Sequence, residues 1–204
     1  MKDSVGKSDG KTIGGNVTFE KGQVRIRPNG GAVDLGANVI PGGGEAEYTI
    51  EIWATSYSVQ RWSRVFEIPD SHSDKGDYFW TWTHESNPNK WQVKIAGYPR
   101  VDDSLMGGIG LGIENHFVVV YAHDNNKNAY FDAYILRDGK VYWHCQKGLW
   151  GGMFKWHSAF FLGHSPYPED ATADASYNEV RIWNRALSED EIMRSTKLGP
   201  DKLP

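Results

Sequence analysis

Tyr177-Asn178-Glu179-Val180-Arg181-Ile182-Trp183-Asn184-Arg185-Ala186-Leu187-Ser188-Glu189-Asp190-Glu191-Ile192 is the stretch on which the reading of this chain turns. Residues 178–183 alternate in polarity and read as a β-strand. Ser188-Glu189-Asp190-Glu191 then reads as a capping box, with the Ser188 hydroxyl covering the amide of Glu191 and the Glu191 carboxylate reaching back. Acidic residues in the first turn suit the positive end of the helix dipole, and Leu187 with Ile192 can dock the helix onto a sheet. Gly199-Pro200 ends it. No other helix in the chain is as well signalled.

Upstream the chain is strand after strand. Runs of alternating polarity at 16–19, 23–27, 32–35, 47–54, 64–68, 77–83, 91–96, 116–122, 129–136, 141–146 and 158–162 are separated by Gly, Pro, Asn and Asp clusters. Asp138-Gly139 sits between two of these runs and predicts a tight hairpin, because both residues tolerate positive φ. In 47–54, Tyr48, Ile50 and Ile52 share one face and Glu47, Thr49 and Glu51 the other, which predicts one dry and one wet face. A dozen strands and one short C-terminal helix predict an all-β fold, a β-sandwich of two antiparallel sheets. Its core should include Tyr48, Ile50, Ile52, Val118, Val120, Val180 and Ile182, and its helix should lie on the sandwich edge.

Composition narrows the function. The 204 residues are 39% hydrophobic and 24% charged, and no apolar run approaches the roughly 20 residues of a spanning helix. A net charge of -4 argues against nucleic acid as a partner. A single cysteine, Cys145, excludes an internal disulfide framework and is expected to be a buried thiol. Met1-Lys2-Asp3-Ser4-Val5-Gly6 lacks the apolar core of a secretory signal, which fits either a cytoplasmic protein or a domain cut from a longer exported chain. The nine Trp and ten Tyr are what stand out.

The 177–192 stretch resembles the C-terminal signature of laminin-G-like domains of the concanavalin A-like lectin/glucanase superfamily. Glu47–Ala54 resembles that family's early core strand, and 64–68, 116–121 and 160–163 fall where later strands would. The resemblance runs from about Gly22 to Arg194. It implies a jelly-roll sandwich over 22–196, with 1–21 as an N-terminal extension and first strand and 197–204 as a tail. It also implies an extracellular, cell-surface or periplasmic setting. It leaves the ligand open, since one fold carries many functions.

Glucanases of the superfamily carry a Glu-x-Asp-x-x-Glu strand, which this chain lacks. Glu47 and Glu51 would stand about 13 Å apart along a strand, too far for a catalytic pair. Glu45 and Glu47 could approach to about 7 Å, but Glu45 follows three glycines and reads as loop. Seven scattered histidines show no helical zinc spacing and no nucleophile elbow. Calcium is the candidate cofactor, because relatives bind it at a sheet rim and 70–77 concentrates Asp70, Asp74 and Asp77. Asn178, where many relatives have Asp, weakens a second calcium position.

The aromatics carry the most specific expectation. Strand alternation places Tyr78, Trp80, Trp82 and His84 on one face, a stacking platform for sugar rings or a stretch of core. Trp53 and Trp183 are assigned to the framework, while Trp62, Trp91, Trp150 and Trp156 sit near loop ends where exposure is expected. The expected ligand site is Trp62, Asp74, Asp77, Trp80, Trp82 and His84. The expected function is a non-catalytic, lectin-like module whose partner is a glycan. A protein-binding or sensory module of a surface receptor comes second and a glycosidase third.

Overall fold

The computed structural model describes residues 1–2, 4–5, 8–40, 46–69, 78–83, 85–87, 89–94, 101–103, 108–148 and 157–204. In chain order the strands are β1 (Lys11–Gly14), β2 (Val17–Glu20), β3 (Gln23–Ile26), β4 (Gly31–Asp34), β5 (Tyr48–Ser56), β6 (Arg64–Ile68) and β7 (Tyr78–Thr81). They continue as β8 (Trp91–Lys94), β9 (Val101–Asp103), β10 (Glu114–His123), β11 (Ala129–Arg137), β12 (Lys140–Gly148), β13 (Phe161–Leu162) and β14 (Ala175–Trp183). Helix α1 (Glu189–Leu198) closes the series. The strands form two antiparallel sheets, so the all-β expectation holds. The sequence had not signalled β1 or β9, which are four and three residues long.

The contacts divide the chain into two compact units. The first holds Met1–Val39, Thr55–Ile113 and Trp156–Ser176, and contains the sheet β1-β4-β13-β6-β7-β8-β9. Its registers align Val33, Leu162, Phe66, Trp80 and Val93 across five strands. All five are fully buried. Phe160 packs on Phe66 and Trp91 on Trp80, with ring centroids 5.5 and 5.7 Å apart. A row of apolar side chains buried in register contributes burial free energy to this unit.

The other face of β6 is polar and equally buried. A register shift between Arg64 and Phe66 lets Arg64 Nε donate to Glu67 Oε2 at 2.6 Å, although residues three apart on a regular strand face opposite ways. Arg64 also donates to Asp170 at 2.6 Å and to Ser165 at 3.3 Å. Removing one member of such a buried set leaves an unpaired charge, which costs about 3–5 kcal/mol.

The second unit holds Ile40–Ala54, Glu114–Lys155 and Tyr177–Pro204. Its strands neighbour one another in the order β12-β11-β10-β5-β14. The β11–β12 hairpin turns at Asp138 (φ 51) and Gly139 (φ 71), as expected for a two-residue turn with both centres left-handed. Tyr48, Ile50 and Ile52 are buried on one face of β5, where Tyr48 stacks on Tyr121 at 5.4 Å.

The face of β5 expected to be wet is dry. Thr49 and Glu51 are fully buried because α1 and the turn before it lie over them. The Thr49 hydroxyl donates to the Arg185 carbonyl at 3.0 Å and accepts from the Leu187 amide at 2.9 Å. Leu187 and Ile192 pack with Val118, Val120, Ala122, Tyr134 and Leu136. The helix therefore docks on the face of the sheet, not on its edge, and Val118 and Val120 form their own core beneath it. Val180 and Ile182 are only half-buried, whereas Arg181 between them is buried.

The capping box forms as read. Ser188 Oγ accepts from the Glu191 amide, and the Glu191 carboxylate accepts from the Ser188 amide at 2.9 Å. Arg185 donates to both Glu191 oxygens. That guanidinium, together with the Ser188 amide, holds the Glu191 carboxyl down at about 2. Arg181 donates to Ser195 Oγ in the helix at 3.0 Å and, beyond it, to the Gly199 and Lys202 carbonyls at 3.3 and 2.9 Å. The Asp201 amide donates to Glu179.

Candidate functional site

Within the second unit, a groove of about 500 Å³ is lined by His123, Asp124, Asn125, Tyr130, Gln146 and Gly148. The β10–β11 turn supplies one wall. Asp124 Oδ1 accepts from the amides of Asn126 and Asn128, each at 2.8 Å, and Oδ2 accepts from Asn128 Nδ2 at 3.0 Å. Those bonds, led by the Asn128 side chain, hold the Asp124 carboxyl below the usual carboxylate range. The turn is thus a fixed, ionised wall. The His123 amide donates to Glu47 Oε1 at 3.0 Å, which brings a second carboxylate beside it.

The floor is a strand pair. Register sets Tyr130 opposite Gly148, Asp132 opposite Gln146 and Tyr134 opposite His144. Residues directly opposite share a face, and Gly148 has no side chain to cover the Tyr130 ring. A Cβ built on Gly148 would meet nothing within 4 Å. Asp132 is oriented by His144 Nε2 at 3.1 Å and by Gln146 Nε2 at 3.2 Å. His144 in turn stacks on Tyr134 at 4.2 Å and 12°. The Tyr130 phenol is pushed above its ordinary value, first by burial and then by Asp132, Glu47 and Asp124.

A half-exposed aromatic face ringed by a carboxylate, two amides and an imidazole can stack a flat apolar ring face and bond to its hydroxyls. Sequence reading passed over every one of these six residues. Asp124-Asn125-Asn126 does read as a turn, but alternation alone does not say which strands expose their aromatics.

The expected site residues fare differently. Trp80 and Trp82 are 0% and 3% exposed, so neither is a platform; β6 and β8 flank β7, and the indoles complete the core. Trp91 is buried as well, against the expectation of exposure near a loop end. Trp62 is half-buried at φ 53, with its amide donating to the Glu85 carbonyl at 2.8 Å. Asp74, Asp77, His84, Trp150 and Trp156 lie outside the described residues, as do Glu45 and the whole calcium candidate 70–77. Cys145 is half-buried on β12 and not the fully buried thiol expected. Asn178 Nδ2 donates to Glu114 at 3.0 Å, so its amide has a structural task.

A second polar cluster looks catalytic on paper. Thr196 Oγ1 lies 2.8 Å from His116 Nδ1, and His116 Nε2 lies 3.1 Å from Glu51 Oε1, the order of a hydroxyl–imidazole–carboxylate relay. Burial decides against that role: His116 and Glu51 are 2% and 0% exposed, with no open face toward a substrate. The Trp183 indole donates to Glu51 at 2.7 Å, and Trp53 stacks on His116 at 3.8 Å with Arg181 over it at 4.4 Å. Burial keeps the His116 pKa below its ordinary value. The cluster ties α1 to the sheet.

Two antiparallel β-sheets and one C-terminal helix packed on a sheet face define an all-β architecture. Residues 27–193 match the family model of the concanavalin A-like lectin/glucanases superfamily, and the chain belongs to that family. Among solved structures it is similar to Trypanosoma rangeli sialidase in complex with sialic acid, with TM-score 0.66 and 14% identity over 92% of this chain. The chain spans only 29% of that sialidase. It is also similar to domain 4 of AbnA, a GH43 extracellular arabinanase from Geobacillus stearothermophilus solved with arabinotriose. There the TM-score is 0.63 and the identity 13%, covering 91% of this chain and 86% of that one. At such identities the likeness is one of fold. No curated protein matches the sequence significantly.

Proposed function

We propose that this chain is a non-catalytic carbohydrate-binding module of an exported or surface protein, with the Tyr130 groove as its sugar site. The carrying observation is the Tyr130 ring left open opposite Gly148, between Asp124, Asn125 and Gln146. Family membership supports a carbohydrate-related role, as does the arabinotriose bound to the arabinanase domain of the same fold. Among the described residues, the carboxyls with displaced pKa values, Glu20, Glu51, Asp124 and Glu191, are all moved downward. A glycosidase's general acid needs the opposite shift. Shallow polar sites bind weakly, at about 0.1–1 mM or about 4–5.5 kcal/mol.

The test is a glycan array followed by calorimetry, with wild type, Tyr130→Ala and Gly148→Leu, in the presence and absence of calcium. Gly148→Leu fills open space without touching the interior, so a folded variant that no longer binds locates the site. Glycan binding unaffected by both substitutions would place the sugar elsewhere. Binding of proteins but no glycan would favour an interaction module.

A further inference from the structure

We infer that the Tyr130 groove selects its ligand by charge, accepting neutral or protonated amino sugars and rejecting carboxylated ones, with Glu47, Asp124 and Asp132 setting the discrimination. The inference rests on the groove being the sugar site and says which sugars it takes.

Asp124 is part of the groove wall, Asp132 follows Tyr130 by two residues on the same face, and Glu47 is held beside His123. All three act on the Tyr130 phenol strongly enough to oppose its ionisation. A negative group on a sugar stacked against that ring meets the same three charges. Among the described residues, no lysine or arginine lines the groove. The groups around it are His123 and His144, each facing one of these carboxylates, and neutral amides.

Asp132 cannot easily swing away, because His144 and Gln146 each hold one of its oxygens. Asp124 is likewise fixed by its own turn. The negative potential is therefore built in and does not depend on side chains that a ligand could push aside. Three unit charges at about 8 Å in a water-like dielectric disfavour a bound carboxylate by about tenfold together. Hydroxyls lose nothing, since Asp and Glu accept from them. A protonated amine gains.

The experiment uses sets of oligosaccharides that share a backbone and differ in one group: hydroxyl, amine or carboxylate. Titrations are run at low salt and again at high salt, where screening removes long-range charge effects. The expected result is a carboxylated member bound about tenfold more weakly than its neutral partner. That gap should close in high salt and narrow in Asp132→Asn and Glu47→Gln. Asp124→Asn serves as a further variant, and thermal unfolding shows that each is folded. Equal affinity for neutral and carboxylated members, with binding still lost in Gly148→Leu, overturns the charge rule and leaves the site standing. Binding of no member, or binding that Gly148→Leu leaves intact, overturns the sugar site and the charge rule with it.

Discussion

Two strands of this molecule carry aromatics that alternate along the chain, and they meet opposite fates. On β7, Trp80 stands in register between Phe66 and Val93 and is fully buried. On β11, Tyr130 stands between Ala122 and Gly148 and is half-exposed. Alternation assigns a side chain to a face. The residues opposite it on the flanking strands decide whether that face is filled or open.

The largest break in this comparison is Trp80→Ala. It should cost about 3–5 kcal/mol and lower the unfolding midpoint sharply, because it empties a core site between two large neighbours. Chemical denaturation measures it, and a loss under 1 kcal/mol would mean the indole is not the keystone described.

Acidification should come next, and it acts on the second unit. The His116 pKa is lowered below 6.5 by burial, so the unfolded chain takes up this proton before the folded one. Glu51 is also burdened by burial, yet its bonds to His116, Ser195 and Trp183 lower its pKa below 4.5. Both contributions are complete above the ordinary values and are lost as pH falls through them toward the folded ones. One proton corresponds to a slope of up to about 1.4 kcal/mol per pH unit. Unfolding midpoints from pH 8 to 5 should decline in wild type and less steeply between 6.5 and 5 in His116→Asn, where the remaining decline belongs to His164, whose pKa burial also lowers. A decline that persists unchanged in the variant would assign it elsewhere.

Ser188→Ala removes one cap and should cost about 1 kcal/mol, visible as a small drop in midpoint with no change in groove binding. Tyr130→Ala should cost about 1 kcal/mol, since part of the ring packs against the cluster of Leu187 and Ile192, while reducing sugar affinity at least fivefold. A large loss of stability would show that Tyr130 is packed as Trp80 is.

The fold was readable because its signals are local. The capping box at Ser188–Glu191 and the turn at Asp138-Gly139 each need only a few neighbouring residues, and both form as read. The wet-face expectation held for half-exposed Glu47 but failed for Thr49 and Glu51, because alternation along β5 carries no record of a helix 140 residues later in the chain. The groove was illegible for a sharper reason. A regular hairpin closed at Asp138-Gly139 would set Tyr130 opposite Lys147, since Arg137 pairs with Lys140 and Leu136 with Val141. A bulge between Ile135 and Leu136 shifts every earlier pair by one residue and brings Gly148 opposite Tyr130 instead. Nothing in the turn residues announces that shift.

The bonds from Arg181 to Ser195, Gly199 and Lys202 also matter for force. Tension applied at the C-terminal end would reach the Lys202 and Gly199 carbonyls before the helix and pass through the guanidinium into β14. There it would be shared with β5 by the ladder of a central strand, while the groove at the β11–β12 end stays off the line of load. A module anchored by that end could be stretched without its sugar site changing shape.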